Sequence, residues 1–254
     1  MSAQQVELEQ PEVVGLPNST NNITAQTISL WITPIIAAAF LIAFVAFPGF
    51  RPPMSPNMTA VQVAAFFGEH TTMIRVSMII YDLLGVMLVP FFMLIVVQMK
   101  RMAAPSHVFA YSYLSAVATG ATLFAVADLF WLVAAFRPGR SPDLVQLLND
   151  MAWIVFTAPV GMFIAANICL ALAIYLDPHP RPIFSRWIGH FNLAVAALVV
   201  PAACAAVIRT GPLAWNGFVS FWLRIGTFGI YLIVMFFALR SAITRQALEE
   251  RAAS

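Results

Sequence analysis

The chain has 254 residues, of which 61% are hydrophobic and 9% are charged, and its mean hydropathy is +0.86. A soluble domain carries about 25% charged residues, so this composition excludes a soluble globular protein. The net charge of +2 excludes the basic surface that nucleic-acid binding requires. The two cysteines, Cys169 and Cys204, lie in apolar runs and cannot form a disulfide framework. We expect a polytopic membrane protein whose surroundings are the lipid bilayer.

Six apolar stretches follow a polar, acidic N-terminal segment that has no Lys or Arg and therefore lacks the basic start of a secretory signal. Each stretch is near or above the ~20 residues that a helix needs to cross the hydrocarbon core. They are Ile28–Phe47, Val76–Val97, Val108–Phe136, Met151–Leu176, Trp187–Ile208 and Gly217–Leu239. We predict an all-α bundle of six transmembrane helices over residues 28–243, between a disordered polar tail (1–27) and a cytoplasmic tail (244–254).

Two connections of the predicted bundle share a motif. Residues 50–57 and 136–143 both read F-R-P-x-x-S-P followed by Asn or Asp. One interpretation is shared turn chemistry, in which the first proline ends one helix and Ser-Pro begins the next. The other interpretation is duplication of a helix-loop-helix unit over 28–98 and 108–176, since internal repeats are common in membrane folds.

Apolar residues recur at helical spacing after each copy of the motif. After the second copy they are Leu144, Leu147, Leu148 and Met151, and after the first copy a weaker pattern runs through Val61, Ala64, Ala65 and Gly68. These patterns predict two short amphipathic helices on one surface of the bundle.

The distribution of basic residues predicts the orientation of the chain, because short cytoplasmic loops are enriched in Lys and Arg. An even number of spans places both termini on one side, together with Lys100, Arg101, Arg181, Arg186, Arg240, Arg245 and Arg251. The other side has fewer basic residues, namely Arg51, Arg75, Arg137, Arg140 and Arg209. We expect both termini in the cytoplasm and the protein in the inner (plasma) membrane.

Three ionisable residues lie inside predicted spans, namely Asp82, Asp128 and Arg224. Such residues are costly in a membrane and are functional candidates by default. With a rise of 1.5 Å per residue, all three lie at a similar depth, about 10 to 12 Å below one face. Tyr81 and Asp150 flank this layer. Asp150 has an alternative interpretation as a charge favoured by the helix dipole at the start of the fourth span.

The charged layer has two interpretations. In the first, Arg224 and one aspartate form a buried ion pair that holds the helices in register. In the second, one carboxylate pairs with Arg224, and the other is a proton carrier or general acid, because burial disfavours its charged form. Trp131 and Trp153 lie nearby, but aromatic residues near an interface usually belong to the aromatic belt.

A second polar layer, formed by Asn167, His190 and Asn192, lies toward the other face and is expected to form hydrogen bonds between helices. We expect no metal site and no cofactor, because no metal-binding, haem-attachment or nucleotide-binding motif is present. Pro90, Pro159 and Pro201 interrupt three spans, and such kinks free backbone carbonyls that could line a cavity.

Several short segments of the chain resemble a family of uncharacterised six-span integral membrane proteins of actinobacteria. These segments are F-F-G-E-H at 66–70, D-L-F-W at 128–131, L-N-D-M-A-W at 148–153 and G-H-F-N at 189–192. The resemblance covers most of the chain beyond the N-terminal tail. It implies a bacterial inner membrane and no particular activity.

Three functions are compatible with these features. A small transporter of an ion or small molecule, with a proton-titratable Asp/Arg site, would use a path between the two polar layers. A membrane-embedded enzyme or accessory subunit acting on a lipophilic substrate would need the charged layer open to one face only. The third possibility is a structural membrane scaffold. No catalytic residue, no enzyme class and no oligomeric state can be assigned from the sequence.

Overall fold

The computed structural model of the protein describes residues 19–102 and 106–253. Within these ranges the chain forms α-helices and no β-strand. The helices are α1 (Ser19–Ala46), α2 (Ala60–Glu69), α3 (Thr71–Met87), α4 (Val89–Lys100), α5 (Val108–Phe136), α6 (Pro142–Thr157), α7 (Gly161–Tyr175), α8 (Arg186–Val199) and α9 (Arg224–Ala253). A 3-10 segment (Val200–Ala206) continues α8, and a π-helical segment (Phe218–Leu223) leads into α9.

The described residues contain six helical elements that are long and apolar enough to cross a membrane. They are Asn22–Ala46, Thr71–Lys100, Val108–Phe136, Pro142–Tyr175, Arg186–Ala206 and Phe218–Ala252. The predicted all-α bundle of six transmembrane helices is therefore confirmed. Its ends differ from the prediction, because α1 begins at Ser19 and α9 continues to Ala253, through most of the predicted C-terminal tail. Residues 1–18 of the predicted N-terminal tail lie outside the described residues.

Each of the three noted prolines coincides with a break in a span. The second span breaks at Leu88, just before Pro90, and the fourth breaks around Pro159. The fifth changes from α-helix to 3-10 helix at Val200, next to Pro201. Proline lacks the N–H that would bond to the preceding turn and its ring clashes with that turn, which explains the breaks.

The two predicted surface helices differ in form. The first is α2, a separate helix that begins with a capping box: Gln62 N–H donates to Thr59 Oγ1 over 3.3 Å, and Thr59 N–H donates to Gln62 Oε1 over 2.8 Å. The second segment is the first part of α6 and runs on toward α7 as one spanning element. Leu144 and Leu147 of its predicted apolar stripe are exposed on the outside of the bundle, and Val145, which was not part of that stripe, is buried instead.

The repeated motif has a different structure in its two copies. In the second copy, Ser141 is the N-cap of α6 and Pro142 is its first residue, as predicted. In the first copy this prediction is wrong, because α2 begins later, after Thr59. Phe50 of the first copy is fully buried, whereas its counterpart Phe136 is 66% exposed.

Polar contacts join α1, α4 and α9 at one end of the bundle. The Gln98 Nε2 group donates to Gln26 Oε1 over 2.7 Å and to Gln246 Oε1 over 3.2 Å. Beside them, Arg101 Nη2 lies 3.1 Å from Glu249 Oε2. The start of α1 and the last turns of α9 therefore lie at the same face of the bundle.

The opposite end is held by arginine side chains that donate to backbone carbonyls. Arg75 Nε and Nη2 donate to the Ala135 carbonyl at the end of α5 over 3.0 and 2.7 Å. Arg209 Nη2 donates to the Pro56 carbonyl over 3.1 Å. The carbonyls at a helix end have no partner within the helix, so the Arg75 contact also caps α5.

Candidate functional site

A cavity of about 510 Å³ lies inside the bundle, and every helix from α1 to α9 except α2 contributes to its lining. This volume falls within the ~300 to 1,000 Å³ range that is typical of small-molecule sites. Among the described residues that line it, all are apolar or glycine except Tyr81 and Arg224. The cavity is thus suited to a hydrocarbon-rich molecule, with two polar groups available to orient it.

Helix breaks and small residues account for the empty space. Leu88, Val89, Pro159 and Val160 all line the cavity, and they lie at the breaks of the second and fourth spans. Where a helix breaks at proline, the following turn is displaced and neighbouring helices cannot pack uniformly. Glycines and alanines on α5 and α9 add space, and an added Cβ at Gly229 would meet no heavy atom within 4 Å.

The cavity lining reaches the outer surface of the bundle at α1 and α9. Leu41 on α1 is 61% exposed and Ile233 on α9 is 60% exposed, and both line the cavity. Other lining residues are enclosed, including Leu88, Phe92 and Val160. The space therefore extends from the enclosed interior to a surface that faces lipid in a membrane.

The segment before α9 places Arg224 at the cavity. The π-helical segment Phe218–Leu223 is anchored to the preceding loop, because Val219 and Ser220 donate their N–H groups to the Pro212 carbonyl over 3.0 and 3.3 Å. A Cβ added at Gly217 would lie 2.4 Å from that same carbonyl oxygen, so only glycine fits there. π-Helical turns occur frequently at functional sites.

The Arg224 guanidinium packs on an aromatic ring. Its Cζ lies 4.6 Å from the centroid of the Phe156 ring, a cation–π geometry. Its Nε and Nη2 atoms are buried and have no hydrogen-bond partner. The expected ion pair is not formed: in the described part of the chain, neither Asp82 nor Asp128 pairs with this guanidinium.

The two aspartates lie in the same layer as Arg224 but not in the cavity lining. Asp128 on α5 is fully buried, and both of its carboxylate oxygens have no hydrogen-bond partner. Asp82 on α3 is half-buried and lies within electrostatic range of Asp128. Tyr81 is within electrostatic range of both Asp128 and Arg224. The structure thus brings these four predicted residues into one neighbourhood, in which Tyr81 interacts with both Asp128 and Arg224.

Aromatic rings enclose this charged layer. Trp131 and Trp153 are fully buried, with ring centroids 5.5 Å apart, and the indole Nε1 of each has no hydrogen-bond partner. They are core residues and not belt residues, which corrects the interpretation from the sequence. The same region holds two more buried polar atoms without a partner, Asn149 Oδ1 and Thr157 Oγ1.

Asp150 is not a charge at a helix start. It lies inside α6, which begins at Pro142, and it is half-buried within electrostatic range of Arg209. The fourth span was expected to begin at Met151, directly after Asp150. Its helix begins at Pro142 instead, so Asp150 lies in the helix interior. Asp150 does not line the cavity.

The asparagines of the second polar layer donate mainly within their own helices, and one hydrogen bond, from Asn192 to Met235, joins two helices. Asn167 Nδ2 donates to the Phe163 carbonyl and Asn192 Nδ2 to the Ile188 carbonyl, each over 2.7 Å within its own helix. Asn192 also approaches Met235 Sδ on α9 at 3.8 Å. His190 is exposed and its Nδ1 lies 2.9 Å from the Arg186 carbonyl oxygen.

Phe156 and the cavity itself are the features that sequence reasoning missed. Phe156 lies in an apolar run, and no periodicity distinguishes a residue that lines a cavity from one that fills a core. The three prolines were the signal in the sequence that pointed to a cavity, because residues at two of the helix breaks line it.

No cluster of three or more His, Cys, Asp or Glu side chains suited to a metal ion occurs among the described residues. Comparison of the chain with protein-family models, with curated proteins and with solved structures finds no match in any of the three.

Proposed function

We propose that this integral membrane protein binds a lipophilic small molecule in the cavity between its spans. The observation that carries the proposal is a cavity of about 510 Å³ whose described lining is apolar apart from Tyr81 and Arg224. Small-molecule sites combine a mostly apolar lining with a few polar groups that fix orientation. A membrane-embedded enzyme, or an accessory subunit that acts on a lipophilic substrate, is the functional class that such a site supports best.

The bilayer is the proposed source of the ligand. Leu41 and Ile233 line the cavity and are exposed on the outside of the bundle. A lipophilic molecule would enter between α1 and α9 without leaving the hydrocarbon phase. An ion would need a polar path instead, and the lining offers only two polar side chains.

The setting of the protein is part of the proposal. We place it in the inner membrane of a bacterium with both termini in the cytoplasm, on the basis of the excess of Lys and Arg in the loops on that side. The proposed family is the six-span actinobacterial group that the segments at 66–70, 128–131, 148–153 and 189–192 resemble.

Photolabelling with a dodecanol that carries a diazirine in its chain tests the proposal. The protein is reconstituted in phosphatidylcholine nanodiscs, irradiated and digested, and the labelled residues are identified by mass spectrometry. We expect labelling at Leu88, Phe92 and Val160, which line the cavity but are buried from the surrounding lipid. Labelling confined to lipid-facing residues would contradict a ligand in the cavity.

Two glycines of α9 supply a matched pair of variants. Gly229 lines the cavity and Gly226 does not, and at both positions an added Cβ meets no heavy atom within 4 Å. Gly229→Trp should abolish labelling of the three buried residues, and Gly226→Trp should preserve it. Equal labelling in the two variants would show that the probe does not occupy this space.

A small transporter with a proton-titratable Asp/Arg site is the second candidate. It is favoured by Asp128, whose buried carboxylate oxygens have no partner, and by its electrostatic interaction with Asp82. In proteoliposomes with an internal pH-sensitive dye, Asp128→Asn should abolish proton movement coupled to uptake of a lipophilic probe. A wild-type protein that moves no protons when the probe is added would exclude this candidate.

A further inference from the structure

Arg224 places a cation at the edge of an apolar cavity, and it has no hydrogen-bond or ion-pair partner among the described residues. Its Nε and Nη2 atoms are buried and make no hydrogen bond, and its guanidinium lies over Phe156 instead of facing a carboxylate. Buried polar groups are normally hydrogen-bonded, and a buried charge is normally paired. The guanidinium therefore needs a hydrogen-bond acceptor, and a ligand bound in the cavity can supply it.

We propose that the ligand of this cavity is an amphiphile with a single hydrocarbon chain and an anionic oxygen head group, a carboxylate or a phosphate monoester, which binds to Arg224. This inference rests on the proposed function, since it assigns the head group of the molecule whose tail fills the cavity. The guanidinium offers planar, paired N–H donors that match the oxygens of carboxylate and phosphate.

The surroundings of Arg224 favour an anion over a neutral polar group. The Phe156 and Tyr81 rings and the apolar lining exclude water, which strengthens the attraction between guanidinium and anion. The two carboxylates of the neighbouring layer, Asp82 and Asp128, interact with each other, and in the described part of the chain neither forms an ion pair with the guanidinium. Tyr81 lines the cavity within electrostatic range of Arg224, so its hydroxyl can donate a second hydrogen bond to the same head group.

The position of Arg224 also orients the amphiphile. Arg224 stands at the start of α9, and the other lining residues of that helix, Ile225, Phe228, Gly229, Leu232 and Ile233, extend along the cavity from it. A head group bound at Arg224 would lay its chain along this apolar face. The distal part of the chain would then reach Ile233, which is exposed to the surrounding lipid.

Competition for the dodecanol photoprobe tests the head group. Unlabelled dodecanoate, dodecyl phosphate, dodecanol and dodecyltrimethylammonium have the same chain and different heads. They are compared at equal concentration in the nanodisc membrane and at a pH well above the ordinary carboxyl range. We expect one or both anions to compete about tenfold or more better than dodecanol, because hydrogen bonds to charged groups exceed neutral ones by that order. The anion that competes more strongly shows whether the head group of the ligand is a carboxylate or a phosphate.

Variants at Arg224 test whether this residue causes the preference for an anionic head group. Arg224→Gln should reduce competition by the anions to the level of dodecanol measured on the same variant, and Arg224→Lys should retain part of the preference for an anion. If Arg224→Gln does not fold, the comparison of the four heads on the wild-type protein and on Arg224→Lys still decides the question. Equal competition by dodecanol and both anions would overturn the anionic head while the labelled cavity still supports a lipophilic ligand. Absence of labelling at Leu88, Phe92 and Val160 would instead overturn the proposed function itself.

Discussion

The Cζ atom of Arg224 lies 4.6 Å from the centroid of the Phe156 ring, and in the described part of the chain no carboxylate forms an ion pair with this guanidinium. Breaking a buried ion pair costs about 3 to 5 kcal/mol, because it leaves a charge uncompensated. Since no pair is present, we expect Arg224→Met to change the free energy of unfolding by less than about 1 kcal/mol. Thermal and denaturant unfolding in detergent measure this difference.

Arg75 is the matched control for this prediction. Its guanidinium donates hydrogen bonds to the carbonyls of Ala135 and Phe136. Arg75→Met removes these contacts and should destabilise the protein by about 1 to 3 kcal/mol. If Arg224→Met proves as destabilising as this control or more so, Arg224 has a protein partner and is not free to bind a ligand.

A second prediction concerns the buried carboxylate of Asp128. Neither of its oxygens has a hydrogen-bond partner, and Asp82 lies within electrostatic range. Burying a neutral amide costs less than burying a charge, so Asp128→Asn should raise the free energy of unfolding at neutral pH by about 1 kcal/mol. Asp82 is the control, because it is only half-buried, and Asp82→Asn should raise the free energy of unfolding by less than Asp128→Asn does. A clear loss of stability in Asp128→Asn would mean that the carboxylate accepts hydrogen bonds.

The architecture of the bundle could be predicted from the sequence because the bilayer imposes a simple rule. Every backbone polar group must be paired within a span, so length and continuous hydrophobicity are enough to count helices. The rise per residue also predicted a common depth for Asp82, Asp128 and Arg224. The rise per residue does not fix the rotation of a helix about its axis, which is why the sequence could not show that neither aspartate forms an ion pair with Arg224 in the described part of the chain.

The boundaries and the cavity could not be predicted for a related physical reason. In a membrane protein both the lipid-facing and the buried sides of a helix are apolar, so periodicity does not separate them. The stripe of Leu144 and Leu147 was predicted to face the bundle, yet these residues are exposed, and Val145 and Asn149 are buried instead. The empty volume depends on how helices pack around the breaks at Pro90 and Pro159, and no local pattern encodes that packing.

The orientation of the bundle leads to a third prediction. Ser106 precedes α5, and Ser141 caps α6 at the far end of α5, so the two residues lie at opposite faces. In a protein whose own Cys169 and Cys204 are replaced by serine, Ser106→Cys should react with a membrane-impermeant maleimide only after the cells are permeabilised. Ser141→Cys should react in intact spheroplasts. Labelling of both cysteines from one side would contradict the six-span topology, and the reverse pattern would place the termini outside the cytoplasm.

The last prediction concerns Gln98, which joins three spans at the face of the bundle where α1 begins and α9 ends. It is fully buried, donates to Gln26 and Gln246, and accepts a hydrogen bond from Arg101 Nη1 over 2.7 Å. Gln98→Leu leaves Gln26 Oε1 without its donor, and Gln246 Oε1 keeps only the 3.4 Å hydrogen bond from Gln26 Nε2. We therefore expect a loss of about 1 to 3 kcal/mol in the free energy of unfolding.

The neighbouring ion pair is the control, because it lies at the same face but in solvent. Glu249, which pairs with Arg101 over 3.1 Å, is 66% exposed, and exposed pairs contribute about 1 kcal/mol or less. Glu249→Gln should therefore be close to the parent protein. Replacing Gln26, Gln98 and Gln246 together by leucine should recover part of the loss, since no glutamine of this cluster is then left buried with an unsatisfied acceptor. If the single variant Gln98→Leu unfolds like the parent, these hydrogen bonds do not hold α1, α4 and α9 together, and the packing of their apolar side chains must do so alone.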